Sequence, residues 1–96
     1  MAFVRLAFFP DGTEAHYRAL GDALGDYEPP KGRVLFTAGP VEGGWQVVQV
    51  WERRELLDEF NRAVFFPAVA RLGGGGFPRP PQVTDFESAD LFVAEG

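Results

Sequence analysis

The sequence predicts an α+β domain in which one four-stranded antiparallel sheet carries two helices on a single face. Three observations predict it. Four short apolar stretches read as strands, two others switch to helical spacing, and Gly- or Pro-containing turns separate them in the order βαββαβ. That order is the ferredoxin-like one. Ninety-six residues without internal repeats fit one domain over residues 1–96.

Each element has a local reason. In Ala2–Phe9, Ala2, Val4, Leu6 and Phe8 form an apolar face, and Phe3, Arg5, Ala7 and Phe9 a mixed one. Pro10-Asp11-Gly12 ends the strand. Asp11 is the expected N-cap of the first helix, with Glu14 as its capping-box partner. That helix runs to Leu24, with Tyr17, Leu20 and Leu24 on one stripe and Gly25 as its stop. Paired prolines in Tyr27–Gly32 make a loop. Val34–Ala38 is a second strand, and the turn Gly39–Gly44 leads into a third, Trp45–Glu52, as a hairpin. A second helix begins near Arg53, with Leu56, Leu57, Phe60 and Val64 as its apolar stripe. Its cap is poor, since Arg53 offers no acceptor, although Glu52 and Glu55 suit the helix dipole. Pro67 predicts a kink or break, followed by a short helix over Ala68–Leu72. Gly73–Gly76 and the polyproline-like Phe77–Pro81 lead to a last strand, Gln82–Val93, bent around Glu87-Ser88-Ala89.

Composition narrows the function. Nine basic against fourteen acidic residues argue against tracking phosphates, so no nucleic-acid partner is expected. Without Cys and with one His, disulfides, thiolate metal sites and Cys nucleophiles are excluded and a zinc site is improbable. The first ten residues are too short for a membrane span and lack a signal-peptide pattern, which leaves a cytoplasmic location as the default and no membrane partner. Gly73–Gly76 follows a helix and leads into Pro78, the reverse of a phosphate-binding loop; a lid is the remaining reading.

The third strand is apolar on both faces. Trp45, Val47, Gln49 and Trp51 point one way, and Gln46, Val48, Val50 and Glu52 the other. Two helices cover one side only, so the other is expected to meet a second copy of the sheet in a symmetric homodimer.

Gly12-Thr13-Glu14-x-x-Tyr17, Ala38-Gly39-Pro40 and Gly43-Gly44-Trp45-x-Val47-Val48-x-Val50-Trp51-Glu52, running into a helix, resemble the dimeric α+β barrel proteins across almost the whole chain. Within them the chain looks like the small antibiotic-biosynthesis-monooxygenase-like members, many of which have no assigned function. The resemblance implies a homodimer with a pocket between each sheet and its helices. It also implies several possible activities: oxidation of aromatic polyketides with O2 and no cofactor, haem degradation, isomerisation, or none. Two positions depart from it. Arg53 follows the Trp-Glu step where relatives often have Ser, and Phe36 stands where this subgroup often carries a His, which removes one candidate proton carrier.

His16, the sole imidazole, is the first candidate for acid–base work and the only possible haem ligand. At the edge of the buried stripe, it is either a pocket-rim residue or a solvated one. Trp51 stands where the resemblance places an active-site tryptophan, and Trp45 shares its strand face; each reads as pocket wall or as core. Gln49 between them needs a hydrogen-bond partner, expected from the backbone or a second chain. Tyr17, with its hydroxyl at the rim, and Asn61, one residue past Phe60, complete the candidate pocket. Ser88 has no His near it in sequence, so no nucleophile triad is expected. Two functions remain open: a cofactor-independent oxygenase acting on a small aromatic substrate through His16 and Trp51, or a non-catalytic homodimer binding a small hydrophobic ligand.

Overall fold

Period-two alternation sets the first strand, β1 (Phe3–Pro10), and the rest of the sheet assembles around it. The structure, a computed structural model, describes residues 2–73 and 76–94. Helix α1 (Glu14–Leu24), the hairpin β2 (Arg33–Val41) and β3 (Gly44–Trp51), helix α2 (Arg54–Phe60) and helix α3 (Phe66–Arg71) follow, and β4 (Gln82–Glu87) closes the sheet. The strand order is β2-β3-β1-β4, with every pairing antiparallel. This is the ferredoxin-like βαββαβ arrangement.

Several boundaries differ from the sequence reading. Asp11 is not the cap of α1. It sits in the left-handed region at φ 60, in a turn where Gly12 N–H donates to the Phe9 carbonyl at 3.0 Å. The helix therefore starts two residues later on Thr13, whose extended backbone lets its Oγ1 accept from His16 N–H at 3.3 Å. His16 closes the box in the place expected of Glu14, its Nδ1 accepting from Thr13 N–H at 3.0 Å. Gly25, at φ 64, ends the helix as expected.

The β2–β3 hairpin is tighter than its Gly and Pro content implied. Pro40 and Val41 remain in the ladder opposite Trp45 and Gly44, leaving Glu42 and Gly43 as a two-residue turn. Gly43 supplies the positive φ of 83. Gly44 is needed for a different reason: a Cβ there would collide with the Phe9 carbonyl oxygen of the neighbouring strand.

Around Pro67 the structure has the expected irregularity and the expected short helix, α3, with Pro67 in its first turn, joined to α2 without a gap. Between α2 and α3 lies a π-helical turn, Asn61–Phe65, and the Phe66 N–H donates to the Asn61 carbonyl five residues back. The widened turn relieves the clash that the Pro67 ring would otherwise make with the Ala63 carbonyl, so the helix continues. As the sequence predicts, Arg53 caps α2 without any side-chain hydrogen bond. β4 ends at Glu87, short of the expected Val93. Ser88 leaves the ladder but stays tied to β1, its N–H donating to the Ala2 carbonyl at 2.8 Å and its Oγ accepting from Ala2 N–H at 3.2 Å. Gly74 and Gly75, within the segment read as a lid, lie outside the described residues.

Both helical segments pack on one face. There Phe3, Trp51 and Leu57 form one buried cluster and Ala7, Trp45 and Val47 another, with Tyr17 against the second. The opposite face has Ala2, Val4 and Val50 buried at its middle with Leu6 packed on them. Its margins are bare: Leu35 is 42% exposed and Phe86 48%. Among the described residues, no helix is long and apolar enough to cross a membrane.

Candidate functional site

The helices do not close fully onto the sheet. Between them lies a cavity of about 560 Å³, the size of a small-molecule site. Its floor is the odd-numbered face of β1 (Arg5, Ala7, Phe9) with Val47 and Gln49 of β3, and Phe36 and Val83 extend it to the outer strands. Tyr17, Leu20 and Leu24 come from α1, while Phe60, Asn61, Phe65 and Phe66 come from helix two. All four belong to or adjoin the π-helical turn. Widening the helix there changes which side chains face the sheet, a frequent use of such turns at ligand sites.

Of the sequence candidates, the fold brings Tyr17, Gln49 and Asn61 together in this lining and leaves Trp45, Trp51 and His16 outside it. The two tryptophans form the layer behind. Trp45, 4% exposed, lies with its ring centroid 5.2 Å from that of Tyr17. Trp51, wholly buried, lies 5.8 Å from Phe60. Each backs a lining ring, so their joint position on one strand face translates into a stiff wall. Trp51 does more, because its Nε1–H donates to Gln49 Oε1 at 2.9 Å. Gln49 therefore finds its partner two residues along its own strand, where the sequence reading expected backbone or a second chain. Trp45 Nε1 is a buried donor without a partner among the described residues, and nothing in the structure explains it.

His16 is spent on the cap of α1, where its Nδ1 also lies 3.0 Å from Thr13 Oγ1. Its ring sits 6.0 Å from Phe77, which lines the cavity and stacks on Phe9 at 4.0 Å. Ser88 is buried beside Ala2 and is not among the lining residues.

The sequence reading missed two features of the lining. One is an ion pair on the floor: Arg5 Nε and Nη2 donate to Asp85 Oδ1 and Oδ2 at 2.8 and 3.0 Å, across directly opposed positions of β1 and β4. These charge-assisted bonds hold the Asp85 carboxyl below the usual carboxylate range and the Arg5 guanidinium above its ordinary value. A lone Arg at mid-strand opposite an Asp in the last strand was the available signal, but only the register joins them. The other is an aromatic cluster with a cation at its centre, Tyr27, Phe36 and Phe60 around Arg33. Tyr27 and Arg33 flank a proline loop that carried no periodicity to read. Among the described residues, no group of three or more His, Asp or Glu is placed to hold a metal ion.

No protein-family model matches the chain, and no curated protein does. Solved structures do. Rv0793 from Mycobacterium tuberculosis matches with a TM-score of 0.73 at 18% identity, over 97% of this chain and 100% of that one. SnoaB, a cofactor-independent oxygenase from Streptomyces nogalater, matches in its N63A variant with a TM-score of 0.65 at 12% identity, over 97% of each chain. A monooxygenase from the gene ActVA-Orf6 of Streptomyces coelicolor, in complex with nanaomycin D, matches with a TM-score of 0.60 at 20% identity, over 98% of this chain and 93% of that one. Element order, sheet topology and these matches together show that the chain has the ferredoxin-like α+β fold shared by solved structures of antibiotic biosynthesis monooxygenases.

Proposed function

We propose that the chain is a cytoplasmic homodimer whose cavity binds a small aromatic molecule and oxidises it with O2, without a cofactor. The observation that carries this reading is the cavity itself: about 560 Å³, with a mainly apolar wall rich in aromatic rings and a set of polar side chains, Arg5, Arg33, Gln49 and Asn61 among them. In this chemistry the electrons come from the substrate. An activated CH2 flanked by aromatic rings gives a proton to solvent, and the carbanion passes electrons to O2, forming a peroxide that takes a proton back from solvent and then loses water. One oxygen atom stays as a new carbonyl and the other leaves as water, so CH2 and O2 become C=O and H2O. The protein's part is to exclude water, hold the ring system and stabilise its anion. Phe9, Phe36 and Phe60 would sandwich the rings, while Tyr17, Asn61 and Gln49 offer hydrogen bonds to ring oxygens. Trp51 would act on Gln49, fixing the amide through its Nε1–H. SnoaB, a cofactor-independent oxygenase, and the monooxygenase that holds nanaomycin D have the same fold, which supports the reading.

A specific observation favours a second reading, non-catalytic binding of the same kind of ligand: no imidazole lines the cavity among the described residues. Haem degradation has less support, because His16 is engaged at the helix cap.

Oxygen uptake with a panel of anthrones and hydroquinones decides between these readings. Turnover above the spontaneous rate is expected for at least one anthrone. Tyr17→Phe and Asn61→Ala should each lower kcat/KM by about tenfold, the worth of one hydrogen bond in a water-poor site. His16→Ala should stay within about twofold of wild type in kcat/KM, since the reading gives it no chemical step. Binding without turnover across the panel would leave the non-catalytic reading.

A further inference from the structure

Of the cations that line the cavity, Arg5 is paired with Asp85 and Arg18 with Glu14, whereas Arg33 makes neither an ion pair nor a side-chain hydrogen bond among the described residues. How it comes to be there follows from the backbone. Arg33 stands opposite Trp51, on the helix-side face of the sheet, but the next pair in the ladder is Leu35 with Val50. Val34 is thus an extra residue, a β-bulge, and after it Phe36 pairs with Gln49 on the same face as Arg33. Strict alternation would put residues three apart on opposite faces. The bulge instead aims both Arg33 and Phe36 into the cavity, a re-aiming common beside active sites.

The bulged segment is also anchored. Gly32, at φ 88, presents its carbonyl to the Glu52 N–H at 2.8 Å, and Arg33 N–H donates to the Pro30 carbonyl at 3.3 Å. The Arg33 guanidinium carbon then lies 5.1, 5.9 and 6.0 Å from the ring centroids of Phe36, Phe60 and Tyr27. Three rings hold the cation by their faces, and among the described residues its donors make no hydrogen bond to them. Its planar fork of donors remains for something else, and the species that matches such a fork in two parallel bonds is a carboxylate.

We propose that the cavity takes a flat aromatic carboxylate, its rings among Phe9, Phe36 and Phe60 and its carboxylate on Arg33. This rests on the reading of the cavity as an aromatic site and names the ligand class for it. Asp22 of α1, exposed and without an ion-pair partner among the described residues, also lines the cavity and disfavours a second anionic group. The ligand is therefore a monoanion.

The test uses the whole chain and two isosteric probes, 2-naphthoate and its neutral amide, titrated calorimetrically at physiological salt. Wild type should bind naphthoate about tenfold more tightly than naphthamide, the worth of a charge-assisted pair. Arg33→Met should erase that preference while holding naphthamide affinity within about twofold, since the aliphatic stem is kept. Arg33→Gln is a second variant with the same expected loss, should the first melt early. Equal affinity for the two probes in wild type, or a preference that survives in both variants, overturns the carboxylate assignment and leaves the aromatic site standing if naphthamide binds. Failure of naphthoate alone overturns the carboxylate assignment, and failure of both probes to bind wild type overturns the aromatic reading and this inference together.

Discussion

The helix side of the sheet and its open side are both apolar, yet they are left unfinished in different ways. On the helix side, Phe3, Trp51 and Leu57 pack solidly at one end, and beyond them the walls stand apart around a cavity that holds Arg5, Gln49 and Arg33. On the open side the middle closes over Ala2, Val4 and Val50, while Leu35 and Phe86 stay bare at the margins with no charged residue among these five. A hollow with a few fixed polar groups suits a small molecule, whereas a flat apolar surface suits another flat surface. One alternating strand, β3, can serve both because successive side chains answer to different partners.

The sharpest way to break this comparison is at the solid end of the helix side. Trp51→Ala should cost about 3–5 kcal/mol of folding stability in urea denaturation, through the void it leaves and the Gln49 carbonyl it strands. A loss under about 1.5 kcal/mol would mean that the wall behind the cavity is not the stiff layer described.

The open side is tested by Leu35→Glu. Stacking of two sheets would bury this position twice, by symmetry, so the charge should weaken the dimer by about 2–5 kcal/mol. Light scattering at micromolar concentration should then report a monomer, where wild type reports a dimer. Because Leu35 is already 42% exposed in one chain, the variant itself should fold. A wild-type chain that runs as a clean monomer would remove the open face from the comparison.

The smallest effect belongs to the ion pair on the cavity floor. Asp85→Asn should cost about 1 kcal/mol at neutral pH, because the pair is only partly shielded from water. The folded-state pKa of Asp85 is depressed, so its contribution is present in full above the ordinary carboxylate value of about 3.9 and is lost as pH falls through the depressed value. The stability difference between wild type and Asp85→Asn should therefore be flat above about pH 5 and shrink below about pH 4. A difference that persists unchanged into stronger acid would show that the pair contributes through packing alone.

Much of this was legible in the chain. Period-two and helical spacing gave the element order, and the double apolarity of β3 marked a sheet apolar on both sides. Tyr17, Gln49 and Asn61 could be picked because each is a polar group on or beside an apolar stripe. The tryptophans could not be placed, because facing the helices and lining the gap between sheet and helices look identical in sequence. His16 could not be placed either, for a related reason. Its role depends on where α1 starts, and that start moved two residues when Asp11 took a left-handed conformation.

By itself, then, the sequence determined the α+β class, the strand faces and the polar residues available to a site. These follow from periodicity and from local backbone preferences. Tertiary structure alone decided three things: the bulge at Val34 that turns Arg33 inward, the π-helical turn that carries helix two past Pro67, and the register that joins Arg5 to Asp85. Each is an irregularity or a pairing between distant segments. Its energy is set by what lies across the sheet or across the cavity, and no neighbour in the chain carries that information.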